Sequence, residues 1–264
     1  MNINYKLTVF AQQELVISHG DTEKLRIRIS IEQLKKKLKD NLGANIKDIL
    51  LFGSFTRNTI LPRKYDPNSD IDLMVIFNTS NGIKTPETYR KNLLDIVSVA
   101  YPNSISKKDF PVVKLELNHI MFDIVPAYTQ ENIFVWRRSY NIPDSSNGWR
   151  STVPNDINGN LSSTNQSYGN NIFLNTIRLC KHWNASTGYP FESYLMEKQI
   201  IDNGYFIKED LYKRFLVTLN DIAGGDAGVR QALDYIEKYK GDWFNDPNEE
   251  KQLQWLQKLL PGLK

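Results

Sequence analysis

The 264-residue chain lacks the features of a secreted or membrane-spanning protein. Its single cysteine, Cys180, cannot form an internal disulfide, and it falls in an apolar helical pattern that indicates a buried thiol in a reducing compartment. No segment approaches a run of ~20 apolar residues, the length that spans a bilayer. The first residues also lack the charged and apolar regions of a signal peptide. The sequence therefore predicts a cytoplasmic protein with no membrane partner.

Excess charge and metal-binding side chains are equally sparse. The 33 Lys and Arg residues nearly balance the 30 Asp and Glu residues, and a net charge of +3 is too small to indicate a dedicated nucleic-acid binder. Basic runs at 35–37, 107–108 and 137–138 are typical of a solvated surface, although a groove for a polyanion stays open as an alternative. His19 and His119 have no companions at metal-ligand spacing, so we do not expect a zinc site.

Apolar periodicity separates a first part with strands and helices from a second part with helices only. The strands predicted in the first part lie at 46–52, 71–77, 112–117 and 120–125, and the last two form a hairpin. The helices predicted there lie at 22–41, capped by Asp21 or Thr22, and at 85–100, with a further helical segment over 7–17. The helices of the second part are predicted at 170–183, 192–201, 208–222, 229–240 and 249–260. Between the two parts, the polar stretch 140–169 is interpreted as a long loop.

The segment 52–77 is the most informative about chemistry. Gly53 and Ser54 open a turn after the first strand, and Asp70 and Asp72 stand two apart at the start of the next. Residues i and i+2 of a strand project to the same face, so both carboxylates point together beside a turn suited to phosphate. Adjacent carboxylates repel each other unless a cation lies between them, and Mg²⁺ with a nucleotide phosphate is the usual solution. Asp123 is the third candidate, because it is a lone charge in an apolar strand.

These motifs, in this order, resemble the nucleotidyltransferase superfamily that shares the DNA polymerase β fold. Within it, the chain is most similar to the bacterial cyclic-oligonucleotide synthases, known as the CD-NTase family. The resemblance rests on the segment from Gly53 to Thr59, on Asp70 and Asp72, and on Asp123. It extends to the long helix before the first strand and to the helical second part.

The resemblance implies a fold of the α+β class with two lobes. A polymerase β-like nucleotidyltransferase lobe with a mixed sheet would occupy 1–140. A C-terminal helical lobe would occupy 141–264 and begin with the polar loop 141–169. The active site would lie in the cleft between them, where ligands commonly bind.

By the same resemblance, Asp70, Asp72 and Asp123 are the catalytic residues and the ligands of two Mg²⁺ ions, for which Mn²⁺ can substitute. Gly53, Ser54 and Arg57 would bind the nucleotide, with Ser54 holding the triphosphate of the donor. This arrangement suits nucleotidyl transfer, which depends on positioning and charge neutralisation.

In the helical lobe, the segments 177–183 and 192–197 resemble the family's second pair of nucleotide-contacting helices. Lys181 would reach the β- and γ-phosphates, Ser193 would add a hydroxyl contact, and Tyr194 would stack on the donor base. Two alternatives stay open, since Lys181 could be an exposed helix lysine and Tyr194 could contribute to lobe packing.

The function that the resemblance implies is template-independent joining of nucleoside triphosphates, with release of pyrophosphate, into a cyclic di- or trinucleotide. Such second messengers typically act in bacterial anti-phage defence (CBASS), through a downstream effector that binds the product. Because the chain lacks a zinc-binding cluster and a strongly basic face, we expect no stable nucleic-acid partner. Nothing in the sequence demands a dimer, so we expect a monomer. The alternatives are a nucleotidyltransferase that acts on tRNA or another acceptor, and a catalytically inactive nucleotide sensor.

The polar stretch 140–169 suggests a further hypothesis about base selection. Amide side chains both donate and accept hydrogen bonds and can therefore recognise base edges. The stretch would lie near the acceptor pocket and influence which second base is used, through Asn155, Asn158, Asn160 and Asn165. The alternative is a mobile surface loop.

Overall fold

The computed structural model describes residues 2–17, 22–129, 139–169, 171–203, 210–241 and 246–264. The predicted cap Asp21, the residue His19 and the basic run 137–138 lie outside the described residues. The chain forms two compact units, and neither is a continuous piece of chain. The sheet unit comprises Ser18–Asn58 and Asn68–Asp156, and the helical unit comprises Met1–Ile17, Thr59–Pro67 and Ile157–Lys264.

A mixed β-sheet organises the sheet unit. Numbered in chain order, its described strands are β1 (Ile46–Phe52), β2 (Asp70–Phe77), β3 (Ile105–Asp109), β4 (Val112–Glu116), β5 (Met121–Thr129), β6 (Tyr140–Pro143) and β7 (Trp149–Thr152). The order is β1-β2-β5-β4-β3, and β6 pairs with both β5 and β7. The pairing of β2 with β5 is parallel, whereas the other pairings are antiparallel. The helices of this unit are α2 (Thr22–Leu42), α3 (Gly53–Thr56) and α4 (Pro86–Ala100).

The predicted elements of the sheet unit are confirmed, with small shifts at their ends. Helix α2 buries one face whose apolar residues recur at three- and four-residue spacing, namely Ile27, Ile31, Leu34 and Leu38. Helix α4 begins after Thr85, whose side-chain oxygen accepts a hydrogen bond from the N–H of Thr88 and so satisfies one of the free donors of the first turn. The predicted hairpin is the antiparallel pair β4–β5.

The helical unit surrounds one apolar core. Its helices are α1 (Ile3–Val9), α5 (Asn158–Tyr168), α6 (Ile172–Ser186), α7 (Ser193–Asn203), α8 (Leu211–Ala223), α9 (Ala227–Lys238) and α10 (Glu249–Leu259), with a π-helical turn at Phe10–Glu14. The core includes Leu7, Leu15, Phe215 and Leu256. Full burial of such side chains stabilises the fold by about 1.5–3 kcal/mol each. In the described part of the chain, no helix is long and apolar enough to cross a membrane.

The segment Thr59–Pro67 belongs to the helical unit, although it connects two pieces of the sheet unit. Leu61 is completely buried in the helical core. The hydroxyl of Tyr189 donates a 2.6 Å hydrogen bond to Asp66 Oδ1. We call this segment the connecting loop, and its apolar and polar contacts both fix it to the helices.

The prediction of one long loop over 140–169 is wrong. The structure places the hairpin β6–β7 and helix α5 there. Asp144 forms the hairpin turn by accepting hydrogen bonds from the N–H groups of Ser146 and Gly148. Helix α5 presents few apolar side chains to the core, among them Leu161, so its sequence shows no clear helical period.

The predicted lobe boundary between residues 140 and 141 stays a prediction. The compact units have other limits, because residues 1–17 and the connecting loop pack with the helices and the hairpin β6–β7 packs with the sheet. The apolar side chains of residues 3–15 contribute directly to the helical core. Sequence distance alone does not show which core such a segment joins.

Candidate active site

Strand register brings three carboxylates to one face of the sheet. Asp72 of β2 is the register partner of Asp123 on the parallel strand β5. Register partners on adjacent strands point to the same face. Asp70 stands two residues before Asp72, so it shares that face as well. The acidic residues predicted to act together are therefore neighbours, and we call them the carboxylate trio.

The turn after β1 approaches the trio at Asp72. Phe52, the last residue of β1, is the register partner of Asp72, and Gly53 follows it directly. Gly53 has a φ of +74°, and a Cβ at this position would overlap the Asp72 carboxylate. Only glycine combines that backbone conformation with so close an approach. The Gly-Ser turn predicted from the sequence thus lies beside the carboxylates.

Ser54 and Arg57 are also part of this turn. The Ser54 side chain is half-buried. Arg57 is largely buried, and its backbone N–H donates a 3.3 Å hydrogen bond to the carbonyl of Gly53. The backbone of the turn is closed by a second bond, from the Thr56 hydroxyl to the same carbonyl. The nucleotide-binding roles of Gly53, Ser54 and Arg57 stay predictions.

The surroundings of Asp123 strongly raise the pKa of its carboxyl group. Burial, followed by the negative charge of Asp70, raises its pKa to about 7, while Lys114 acts in the opposite direction. Its Oδ1 atom is buried and accepts no hydrogen bond from the described residues. An unsatisfied buried carboxylate oxygen is costly, and a cation is the natural partner for it.

Lys114 is the basic residue next to this oxygen. It is the register partner of Asp123 on β4, so both side chains lie on one face. Its Nζ lies 3.9 Å from Asp123 Oδ1, beyond hydrogen-bond range, and 3.1 Å from Asp109 Oδ2. Burial lowers the pKa of Lys114, but the carboxylates of Asp123, Asp109 and Asp70 outweigh that effect and raise it overall.

The donor set of the trio fits a hard divalent cation. Carboxylate oxygens are the ligands that Mg²⁺ and Mn²⁺ prefer. The unsatisfied Oδ1 of Asp123 supplies a ligand atom without a competing hydrogen bond from the described residues. Across the described ranges, no group of three acidic, histidine or cysteine side chains is already gathered closely enough to enclose an ion. Binding by the trio therefore requires the carboxylates to close around the cation.

In the helical unit, Lys181 is committed to a buried ion pair. Its Nζ lies 2.9 Å from Glu197 Oε1, and the two side chains are only 6% and 1% exposed. The hydroxyl of Thr59, in the connecting loop, lies 3.0 Å from both carboxylate oxygens of Glu197 and donates to them. The alternative that Lys181 is an exposed helix lysine is wrong. Its role at the nucleotide phosphates stays a prediction, and that role requires Lys181 to leave or share Glu197.

Ser193 and Tyr194 open helix α7, which also carries Glu197. Both side chains are half-buried. The Tyr194 ring packs against the helical core, so the packing alternative for this residue has direct structural support. Stacking on a base would have to use the part of the ring that remains accessible. The nucleotide roles of both residues stay predictions.

Sequence reasoning missed Lys114 and the function of Glu197 and Thr59 in the buried pair. Lys114 lies between two buried residues of strand β4, Val113 and Leu115, at an intermediate position of a strand that alternates between intermediate and buried residues. A lysine in such a strand, beside a second strand that carries a lone aspartate, could have indicated from the sequence that the two side chains are neighbours. The pairing of Lys181 with Glu197 depends on how two helices pack, which apolar periodicity does not report. The contribution of Thr59 could not be deduced either, because it is 138 residues away from Glu197.

The comparison with protein families shows the class of this chain. Residues 1–165 match the Second Messenger Oligonucleotide or Dinucleotide Synthetase (SMODS) domain. The match covers more than half of the chain, and the chain therefore belongs to this family, whose members include the CD-NTases. The predicted fold class, a polymerase β-like nucleotidyltransferase fold with a mixed sheet and additional helices, is confirmed.

Individual relatives agree with this assignment. A Bacillus cereus protein named probable cyclic nucleotide synthase is 30% identical over an alignment length of 189, and the match covers 59% of this chain and 55% of the relative. The chain thus spans little more than half the length of that relative. The Escherichia coli protein named CBASS oligonucleotide cyclase CdnC is 26% identical over an alignment length of 230, and the match covers 82% of this chain and 70% of the relative.

Solved structures share the fold. The structure of E. coli CdnC with ATP has a TM-score of 0.69 at 16% identity and covers 99% of this chain and 98% of its own. Vibrio cholerae DncV, a cyclic AMP-GMP synthase solved with a linear intermediate, has a TM-score of 0.73 at 10% identity and covers 98% and 96%. At these identities the likeness shows a common fold.

Proposed function

We propose that this protein is a template-independent nucleotidyltransferase that joins nucleoside triphosphates into a cyclic di- or trinucleotide. The observation that carries the proposal is the carboxylate trio, Asp70, Asp72 and Asp123, in register beside the Gly-Ser turn. Membership of the SMODS family supports it, as do the names of the relatives.

In this proposal, Asp70, Asp72 and Asp123 would hold two Mg²⁺ ions, which would supply the positive charge that activates the attacking hydroxyl and stabilises the leaving pyrophosphate. Gly53 keeps the turn close to Asp72, and the Ser54 backbone N–H offers a donor to the triphosphate. The ribose hydroxyl of the acceptor forms a bond to the α-phosphorus of the donor, the bond to pyrophosphate breaks, and the hydroxyl proton passes to water. A second transfer of the same kind closes the ring.

Lys181 has a specific place in the proposal. Its ammonium group would bind the β- and γ-phosphates while Glu197 and Thr59 keep it oriented. Ser193 would add a hydroxyl contact and Tyr194 a stacking face for the base. These contacts remain proposals that rest on the resemblance of the helices α6 and α7 to those of the family.

A defence role is also part of the proposal. The E. coli relatives are named as CBASS enzymes. By analogy, the cyclic product of this protein would be read by a downstream effector in anti-phage signalling.

Incubation with labelled nucleoside triphosphates and Mg²⁺, with and without tRNA, tests the proposal directly. A phosphatase-resistant small product is expected, and mass spectrometry of the product from an equimolar mixture of the four nucleotides identifies its bases and ring size. Labelled tRNA would instead support the acceptor-transferase alternative, and absence of turnover would support the nucleotide sensor. The Asp70→Asn/Asp72→Asn double variant is the control for contaminating activity.

A further inference from the structure

Lys114 is a charged residue on the sheet face of the carboxylate trio, and the resemblance assigns it no role. It lies in register with Asp123, and 27% of its side chain is exposed. Its ammonium is 3.1 Å from Asp109 and 3.9 Å from Asp123. It therefore stands between a carboxylate outside the trio and the buried oxygen that is available to a metal.

We propose that Lys114 is a resident counter-cation of the metal site: it neutralises Asp123 while no divalent ion is bound and is displaced toward Asp109 when one arrives. The proposal rests on the proposed metal-binding function of the trio. Its basis is the placement of one mobile ammonium group between two carboxylates on the same sheet face.

The distances favour exchange over a permanent ion pair. The Lys114 ammonium forms its shorter contact with Asp109, whose side chain is 52% exposed. Its contact with Asp123 is longer than a hydrogen bond, so the carboxylate keeps its buried oxygen accessible to a stronger ligand. A flexible lysine stem can shift by such a distance without any change in the backbone.

The electrostatic consequence is competition. A positive charge about 4 Å from a metal ligand opposes the arrival of a divalent ion, and this opposition is strong where water is partly excluded. The same charge limits repulsion within the trio when the metal is absent. Lys114 would thereby weaken metal binding in the free protein, so that stable metal occupancy depends on the phosphates that arrive with the nucleotide.

The test measures Mn²⁺ binding to the full chain by electron paramagnetic resonance, at a pH well above 7, where Asp123 is ionised. Lys114→Met retains the apolar stem and removes the charge, and we expect it to bind Mn²⁺ tighter by about tenfold. Lys107→Met is the matched control. Lys107 is the register partner of Lys114 on β3, and its ammonium pairs with Glu116 at 3.3 Å. The control substitution therefore removes an equal charge from the same face of the sheet.

The outcomes separate the inference from the proposed function. Equal Mn²⁺ affinity in Lys114→Met and Lys107→Met, or loss of binding in Lys114→Met, would overturn the role of Lys114 while the metal site stands. If the parent protein and Asp123→Asn bind Mn²⁺ equally, or if no variant binds it, Lys114→Met included, the metal site itself is refuted, and the inference with it. Lys114→Gln repeats the test should the methionine variant not fold, and Lys114→Arg, which keeps the charge, should bind Mn²⁺ like the parent.

Discussion

The buried pair of Lys181 and Glu197 allows a quantitative prediction about the helical unit. Lys181→Met removes the ammonium and leaves the Glu197 carboxylate, which is 1% exposed, beside the Thr59 hydroxyl that donates to it at 3.0 Å. At an effective dielectric of about 20, unit charges 2.9 Å apart attract each other by roughly 6 kcal/mol. Desolvation of both groups offsets much of this attraction. Removing one partner, however, leaves the other charge buried and unpaired, which costs about 3–5 kcal/mol. We therefore expect Lys181→Met to lower the free energy of unfolding by about 3–5 kcal/mol.

The measurement is urea denaturation followed by circular dichroism, with an exposed lysine as the matched control. Lys198 on helix α7 pairs with Asp202 at 2.5 Å, but both side chains are more than 40% exposed. Exposed pairs of this kind contribute about 0–1 kcal/mol, so Lys198→Met should leave the curve nearly unchanged. Replacing both buried partners, by Lys181→Met with Glu197→Leu, should recover at least part of the loss, because no unpaired charge then remains.

One result would refute this reasoning. If Lys181→Met costs less than about 1 kcal/mol, the same as an exposed lysine, the ammonium is not committed to Glu197 in solution. Lys181 would then be available for phosphate without breaking a buried contact. A loss of the expected size would instead show that nucleotide binding must compete with Glu197 for this cation.

Three further predictions concern the sheet unit. Gly53→Ala should lower the rate of nucleotide consumption by about 100-fold, because the added Cβ displaces the Asp72 carboxylate; a rate near that of the parent would show that the close approach is not required. Asp70→Asn/Asp72→Asn should abolish turnover without lowering the melting temperature, since it removes mutual repulsion, and a large drop in melting temperature would contradict this. The pKa of Asp123, about 7 in the folded protein against 3.8 for the free side chain, means that the folded state binds the proton more tightly. Stability measured without divalent metal should therefore fall as the pH rises from about 4 to about 7, by roughly 2–4 kcal/mol relative to Asp123→Asn; parallel stability curves would refute this assignment.

Elements with strong apolar periodicity could be predicted closely from the sequence. Strand β1 has the predicted limits, and helix α4 differs by one residue because Thr85 is its cap. The motif logic also succeeded in placing Asp123 beside Asp72, because a lone aspartate in an apolar strand is rarely tolerated without a partner.

Elements with little apolar contrast could not be predicted. Strand β3 is an edge strand whose residues are mostly exposed, so it has no buried alternation to detect. Helix α5 is polar and the strands of the hairpin β6–β7 are only 4 residues long, so tertiary contacts stabilise these elements more than local propensity does. The pairing of Lys181 with Glu197 depends on helix packing, which periodicity does not report.

The path of the chain has a consequence for how the protein can be divided. The polypeptide passes from one compact unit to the other after residues 17, 58, 67 and 156. A fragment that ends at residue 165, where the SMODS match stops, would keep Leu7 and Leu61 but lose most of the apolar partners that cover them. Such a truncation should aggregate when it is expressed alone. The two units therefore cannot be separated by a single cut of the chain. The connecting loop between the Gly-Ser turn and Asp70 is held by contacts with residues more than a hundred positions later in the sequence, such as Tyr189 and Glu197.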